Sequence, residues 1–150
     1  MVSKELVTPE IPDQGRVYDE DNAEWDSGWQ TCFKRQKVVV FINAQVFNDV
    51  VGSVTSEPFK CAPYRFAEVF LDVVKVSTPT DIRFLYDSSP DGIDWYEMAG
   101  NNWTSNLFTA TGKHSIYDRV ISPYFRVRAV ATGTTASAYF TANVKVVFSG

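Results

Sequence analysis

The amino-acid sequence predicts an all-β fold, an antiparallel sandwich or barrel of about eight strands. Three observations carry that expectation. Apolar and polar residues alternate through the long runs of the chain, so each run has one apolar face. Turn residues punctuate these runs roughly every 8–12 positions, the spacing of successive short strands. Aromatic residues make up 15% of the chain, and aromatic and β-branched side chains suit a pleated, half-buried surface.

The elements follow in order. Residues 1–25 contain Pro9, Pro12 and Gly15 and show no helical or strand period, which reads as an extended arm. Asp26-Ser27-Gly28 is a turn, and the sandwich domain is expected over residues 26–150. Val38-Val39-Val40-Phe41-Ile42 is dense in β-branched and aromatic residues and reads as a strand, continued by Ala44, Val46 and Val50. Residues 51–64 are rich in Gly, Ser, Thr and Pro and read as a loop.

From Phe66 the alternation is clean. Ala67, Val69, Leu71 and Val73 share one face, and Phe66, Glu68, Phe70 and Asp72 share the other. Ser77-Thr78-Pro79-Thr80 turns the chain into a strand with Ile82, Phe84 and Tyr86 on one side, so the two runs are expected to form a hairpin. Asp87-Ser88-Ser89-Pro90-Asp91-Gly92 is the strongest turn signal: Pro presets φ, Asp bonds nearby backbone and Gly takes a positive φ. Trp95 follows as an expected core anchor behind Asp91 and Gly92. Ile93 to Met98 and Ser115 to Ile121 resume β character. Phe125, Val127, Ala129 and Ala131 alternate with Tyr124, Arg126, Arg128 and Val130. A Thr132-Gly133-Thr134-Thr135 hairpin loop then leads to a last strand whose apolar side carries Ala138, Phe140, Ala142, Val144, Val146 and Phe148. A strand this long and apolar invites aggregation at an edge, so it is expected inside a sheet or at a subunit contact.

Length and charge bound the function classes. One hundred and fifty residues with 45% hydrophobic and 21% charged side chains suit a single globular domain. Net charge is −4, which does not suit a nucleic-acid-binding surface. The charge is uneven: residues 1–26 hold eight carboxylates against Lys4 and Arg16, a net −6, and the rest holds ten acidic and twelve basic residues, a net +2. The acidic arm is either a solvated tail or a strap for a basic patch on a neighbouring subunit. No signal peptide and no membrane-length apolar run are present, so synthesis in a cytoplasm without membrane insertion is expected. Cys32 and Cys61 either pair or stay as free thiols, the simpler reading in a reducing compartment.

Catalytic chemistry finds little to work with. His114 is the one histidine and has no recognisable partner in sequence, and one His with two distant Cys is a poor zinc set. Asp87, Asp91 and Asp94 cluster at a turn and either hold calcium or, more simply, cap turn N–H groups. No phosphate-binding Gly loop and no nucleophile elbow occur. The expectation is therefore no enzyme, no cofactor and no metal. Tyr124, Arg126 and Arg128 share a face that is either solvated or a subunit contact, and Glu20, Asp21 and Trp25 join them as candidate interface residues. Trp95, Trp103 and Tyr96 either pack in the core or stack on sugars.

Three stretches carry a resemblance: Ser89-Pro90-Asp91-Gly92-Ile93-Asp94-Trp95-Tyr96, Tyr124-Phe125-Arg126-Val127-Arg128-Ala129, and Gly133-Thr134-Thr135-Ala136-Ser137-Ala138-Tyr139-Phe140. With Asp26-Ser27-Gly28-Trp29 they resemble a family of tailed-bacteriophage virion proteins over about 120 residues. That resemblance implies a jelly-roll-like β-sandwich in the virion. It would serve as a capsid decoration or cementing protein, or as a head or tail accessory component. Its partners would be major capsid or tail subunits and its own copies, as a dimer or trimer. The same turn-Trp and Phe-Arg-Val-Arg elements are similar to carbohydrate-binding jelly rolls, which implies the alternative of a sugar-binding module on a phage tail or surface protein. The acidic arm belongs to neither pattern.

Overall fold

The computed structural model describes residues 35–150 together with the backbone of two short strands nearer the chain start, β1 (Arg16–Asp19) and β2 (Glu24–Ser27). These two pair antiparallel, with Arg16 opposite Ser27 and Asp19 opposite Glu24. The sequence reading was an extended arm without strand period through residue 25, and it did not anticipate this hairpin. Four residues per strand are too few for a period of two to stand out in sequence. The remainder of the acidic arm and its division from the sandwich lie outside the described residues.

The body is built from ten strands. They are β3 (Gln36–Phe47), β4 (Ser53–Thr55), β5 (Phe59–Lys60), β6 (Phe66–Val76), β7 (Asp81–Ser89), β8 (Tyr96–Glu97), β9 (Asn106–Phe108), β10 (Gly112–Arg119), β11 (Tyr124–Thr132) and β12 (Tyr139–Ser149). A 3-10 turn at Asn101–Trp103 is the one helical element among the described residues. One sheet runs β10–β6–β12–β3. The other runs β4–β11–β7–β8, with β5 also on β11 and β9 also on β7. Every pairing is antiparallel.

Strand order identifies the architecture. Taking β4 with β5, and β8 with β9, as single broken strands leaves eight in the body. The first sheet then holds the first, eighth, third and sixth of these, and the second holds the second, seventh, fourth and fifth. That interleaving is a jelly roll, as the sequence reading expected. Six of the seven connections between these eight strands cross from one sheet to the other; only the turn after β7 stays within its sheet.

Two expected hairpins are thereby corrected. Strand β6 pairs with β10 and β12 while β7 pairs with β11, so the turn at residues 77–80 is an arch between sheets. The loop at residues 132–135 is likewise an arch from β11 to β12. A turn signal reports that the chain reverses, and both inward faces are equally apolar, so alternation does not reveal which sheet receives the next strand. The two arches are tied together, since Thr80 N–H donates to the Thr132 carbonyl at 2.9 Å. Gly133 has φ +68°, and a Cβ there would collide with Thr80. Glycine is therefore required by backbone and by space.

The expected loop over residues 51–64 also needs correction, because it contains β4 and β5 on the edge of β11. Between them Ser56 keeps contact with β11: its N–H donates to the Val127 carbonyl at 2.9 Å and its hydroxyl accepts from Val127 N–H at 3.0 Å. Side-chain bonding of this kind lets a Ser- and Pro-rich segment run along a sheet edge without strand-like composition. The expected strand from Ile93 to Met98 shrinks to Tyr96–Glu97.

The core lies between the sheets and follows the alternation. Ala67, Val69, Leu71 and Val73 of β6 and Phe140, Ala142, Val144, Val146 and Phe148 of β12 face Ile82, Phe84 and Tyr86 of β7 and Phe125, Val127 and Ala129 of β11. Strand β12 lies between β6 and β3, inside its sheet as expected. Phe125 sits at the centre of an aromatic cluster, with ring centroids 5.6 Å from Phe41, 5.6 Å from Phe148 and 5.5 Å from Trp103.

Candidate functional site

Strand register brings the two sequence motifs together on the outer face of the second sheet. Inward Tyr86 forces the next residue, Asp87, outward, where it stands opposite Arg126 on β11. The Asp87 carboxylate accepts from Arg126 Nε at 2.9 Å and from Arg128 Nε and Nη2 at 2.7 Å each. Arg128 Nη2 also donates to Glu97 at 3.0 Å. Asp87 keeps only 2% of its surface exposed, against 24% and 30% for the two guanidinium side chains. The bond to Asp87, followed by the charges of Asp87 and Glu97, holds Arg128 above its ordinary pKa. Two arginines and two carboxylates thus neutralise one another within the chain.

The turn after β7 folds over this network. Arg126 lies 4.3 Å from the centroid of the Trp95 ring. Gly92, at φ +79°, leaves room for the Tyr124 ring, which a Cβ would meet at 3.4 Å. Ser89 hydroxyl donates to Asp91 Oδ1 at 3.0 Å and accepts from Gly92 N–H at 2.8 Å. Asp91 Oδ1 also accepts from Ile93 N–H at 2.8 Å and Asp94 N–H at 2.9 Å. The Asp94 and Ile93 amides in turn hold the Asp91 carboxyl below its ordinary value of 3.8. A depressed folded-state pKa stabilises above the unfolded value and loses that contribution as pH falls through the folded one. Acidification below pH 3.8 is therefore expected to loosen the Asp91 turn. Amide exchange at Ile93 and Asp94, followed by NMR from pH 6 to pH 2 (a span of roughly four units around the carboxylate range), measures it; rates following only the intrinsic pH dependence would contradict the assignment.

One sequence expectation, Trp95 as a core anchor, changes here, and the other candidates receive their places. Trp95 is half-buried on the outer face, and the core tryptophan is Trp103, 5% exposed, whose Nε1 donates to the Arg119 carbonyl at 2.9 Å. Trp95 follows a tight turn whose next strand starts at Tyr96, and that geometry lays its ring over Arg126. Trp103 is therefore closed to sugars, which leaves Tyr96, 62% exposed, and half-buried Trp95. Arg126 and Arg128 are committed to Asp87, so the Tyr124, Arg126, Arg128 face offers a partner little free charge. Glu20 and Asp21 lie outside the described residues. Trp25 is within β2, with its side chain outside them.

The remaining chemistry-bearing groups have structural surroundings. Asp87 is turned onto arginines, away from the calcium arrangement weighed for Asp87, Asp91 and Asp94. No three His, Cys, Asp or Glu residues come together as a metal set among the described residues. His114 stacks on Phe108 at 4.2 Å. Burial pushes the Cys61 thiol up to about 11, and its Sγ lies 3.0 Å from the Ser122 carbonyl. Such a thiol is protonated at neutral pH and is a poor nucleophile. Cys32 lies outside the described residues. Among those residues no helix is long and apolar enough to cross a membrane.

The outer face of the first sheet is different. Cross-strand rows there read Val38–Val147–Glu68–Tyr117, then Val40–Lys145–Phe70–Ser115, then Asn143–Asp72–Lys113, then Val46–Thr141–Val74. Val38, Val40, Val46, Phe70, Val74 and Tyr117 are exposed, six of the twelve exposed large hydrophobic residues among the described residues. A groove of about 430 Å³ opens beside Phe70, lined also by Asn43, Asp72, Lys113, Asn143 and Lys145. Sequence reading noticed Phe66 and Phe70 on the mixed side of β6 but missed this surface. Its trace is the run Val38-Val39-Val40, apolar on both faces of one strand.

No family model matches the chain, and no curated protein resembles it in sequence. Among solved structures, the PBSX exported protein XepA aligns over 90% of this chain with a TM-score of 0.50 and 7% identity. The fold is shared. The chain spans 44% of XepA, less than half its length. The SPBc2 prophage-derived protein YomS aligns over 75% of this chain and 92% of its own, with a TM-score of 0.44 and 16% identity. The VP2 subviral particle of infectious bursal disease virus aligns over 76% of this chain and 32% of its own, with a TM-score of 0.46 and 12% identity.

Proposed function

We propose that this chain is a structural virion protein, a capsid decoration or cementing subunit or a head–tail accessory component. It acts through protein–protein contacts, with major capsid or tail subunits and its own copies as partners. The observation that carries the reading is the apolar outer face of the β10–β6–β12–β3 sheet on an otherwise filled sandwich. Monomeric soluble proteins rarely leave a large contiguous apolar patch uncovered, and such patches mark protein contacts. The groups that carry chemistry elsewhere are absorbed here by packing and ion pairs, which suits a rigid block. The acidic residues 1–26 are a second contact element, laid on a basic surface of a neighbouring subunit.

Particles purified from a producing culture and analysed by mass spectrometry test the proposal. The chain is expected in the particles, at a copy number that follows the shell or tail. Abundance in the lysate with absence from particles would overturn it.

A further inference from the structure

We infer that the outer face of the β10–β6–β12–β3 sheet is a self-association surface, packing against the same face of a second copy. Three observations select this occupant.

The first is charge. The rows of this face carry Glu68 and Asp72 against Lys113 and Lys145, with Arg119 on the Ser149–Phe66 row at one end, and Lys113 is already paired with Asp72 at 2.9 Å. A strongly charged partner finds little net complement there. A two-fold related copy brings both signs of charge together with the same exposed Val40 and Phe70, so one face can complement itself in an isologous contact.

The second is area. Four strands about 4.8 Å apart and about 11 residues long, at about 3.3 Å each, span roughly 600 Å². Two such faces bury roughly 1,200 Å² together, the lower end of stable specific interfaces. The expected product is a dimer in measurable equilibrium with monomer.

The third is the edge. Strand β3 is the terminal strand of this sheet, and its register against β12 shifts twice, once beyond Val40 and again beyond Ile42. Ala44 takes φ 49°, and its N–H bonds the Asn143 side chain at 2.7 Å. Bulges of this kind spoil a flat edge for strand addition. A second copy therefore meets the face of the sheet and not its β3 margin.

Self-association belongs to the purified chain and does not depend on the virion role. Sedimentation equilibrium of the full chain over a concentration series is expected to show a monomer–dimer equilibrium. Val40→Lys and Phe70→Lys, at exposed positions, are each expected to raise the dissociation constant by at least about tenfold. Ile121→Lys, off the face and 89% exposed, is expected to leave it unchanged. Maleimide labelling of Ser115→Cys, mapped by peptide mass, is expected to slow as concentration rises, and it tests the surface without altering an apolar residue. A chain that stays monomeric, or a dimer indifferent to Val40→Lys and Phe70→Lys, overturns the inference. So does concentration-dependent amide protection along β3, which would place the contact on the strand edge.

Discussion

Asp87→Ala is expected to cost the fold about 3 kcal/mol, near the lower end of what removing one partner from a buried ion pair costs. Three charge-assisted hydrogen bonds disappear at once, and Arg126 and Arg128 are left side by side on β11. Their partial exposure lets water recover some of the loss, which keeps the effect near the lower bound. The expected fall in melting temperature is roughly 6–12 °C. Glu97 offers an internal comparison. It bonds the same Arg128 but is 56% exposed. Glu97→Ala is therefore expected to cost no more than about 0.5–1 kcal/mol, as exposed pairs do. Urea unfolding of the two variants beside the parent protein decides the matter. Equal losses would mean that Asp87 is no more important than a surface carboxylate.

How far the sequence spoke for this arrangement can be traced residue by residue. Alternation placed Phe125, Val127 and Ala129 inward and Arg126 and Arg128 outward, and the structure agrees. It also placed Ile82, Phe84 and Tyr86 inward, so Asp87 had to face out. What alternation lacks is register. Arg126 opposite Asp87 follows from β7 and β11 being neighbours, and the chain between them makes three visits to other strands. Asp87 therefore read as part of a turn rather than as the acid under two arginines. The same gap explains the arches read as hairpins at residues 77–80 and 132–135. Of the turn read over Asp87–Gly92, Asp87 to Ser89 belong to β7, while the part from Ser89 to Gly92 was legible because its geometry is local: Ser89, Asp91 and Gly92 bond one another within a few residues. The apolar outer face of the first sheet is harder to read. Val38 and Val40 belong to β3, Phe70 and Val74 to β6, and Tyr117 to β10, and only the fold gathers them.

The largest expected effect comes from Trp103, which holds the core place expected for Trp95. Trp103→Ala is expected to destabilise the fold by about 4 kcal/mol, within the range for deleting a buried aromatic. The ring is packed edge-on against Tyr86 at 5.3 Å and Phe125 at 5.5 Å, so a cavity opens beside the centre of the aromatic cluster. Its Nε1 bond to the Arg119 carbonyl is lost as well, and that carbonyl then needs water at a partly buried position. The 3-10 turn at Asn101–Trp103 has little else to hold it, since its remaining ties are Asn102 contacts to Tyr117 and Asp118 and the Trp103 N–H bond to Gly100. Trp95→Ala removes a half-exposed ring and a cation–π contact, worth about 0.5–1 kcal/mol at such sites. Thermal unfolding of the two variants is expected to separate them by roughly 6 °C or more. The test also bears on sugar binding. A glycan-binding role for Trp103 requires Trp103→Ala to abolish binding while the fold stays intact. Burial at 5% exposure predicts the reverse, with the fold failing first. If Trp95→Ala proved the more damaging change, the core assignment of Trp103 would fall, and with it the reading of the turn after β7 as a cover for Arg126.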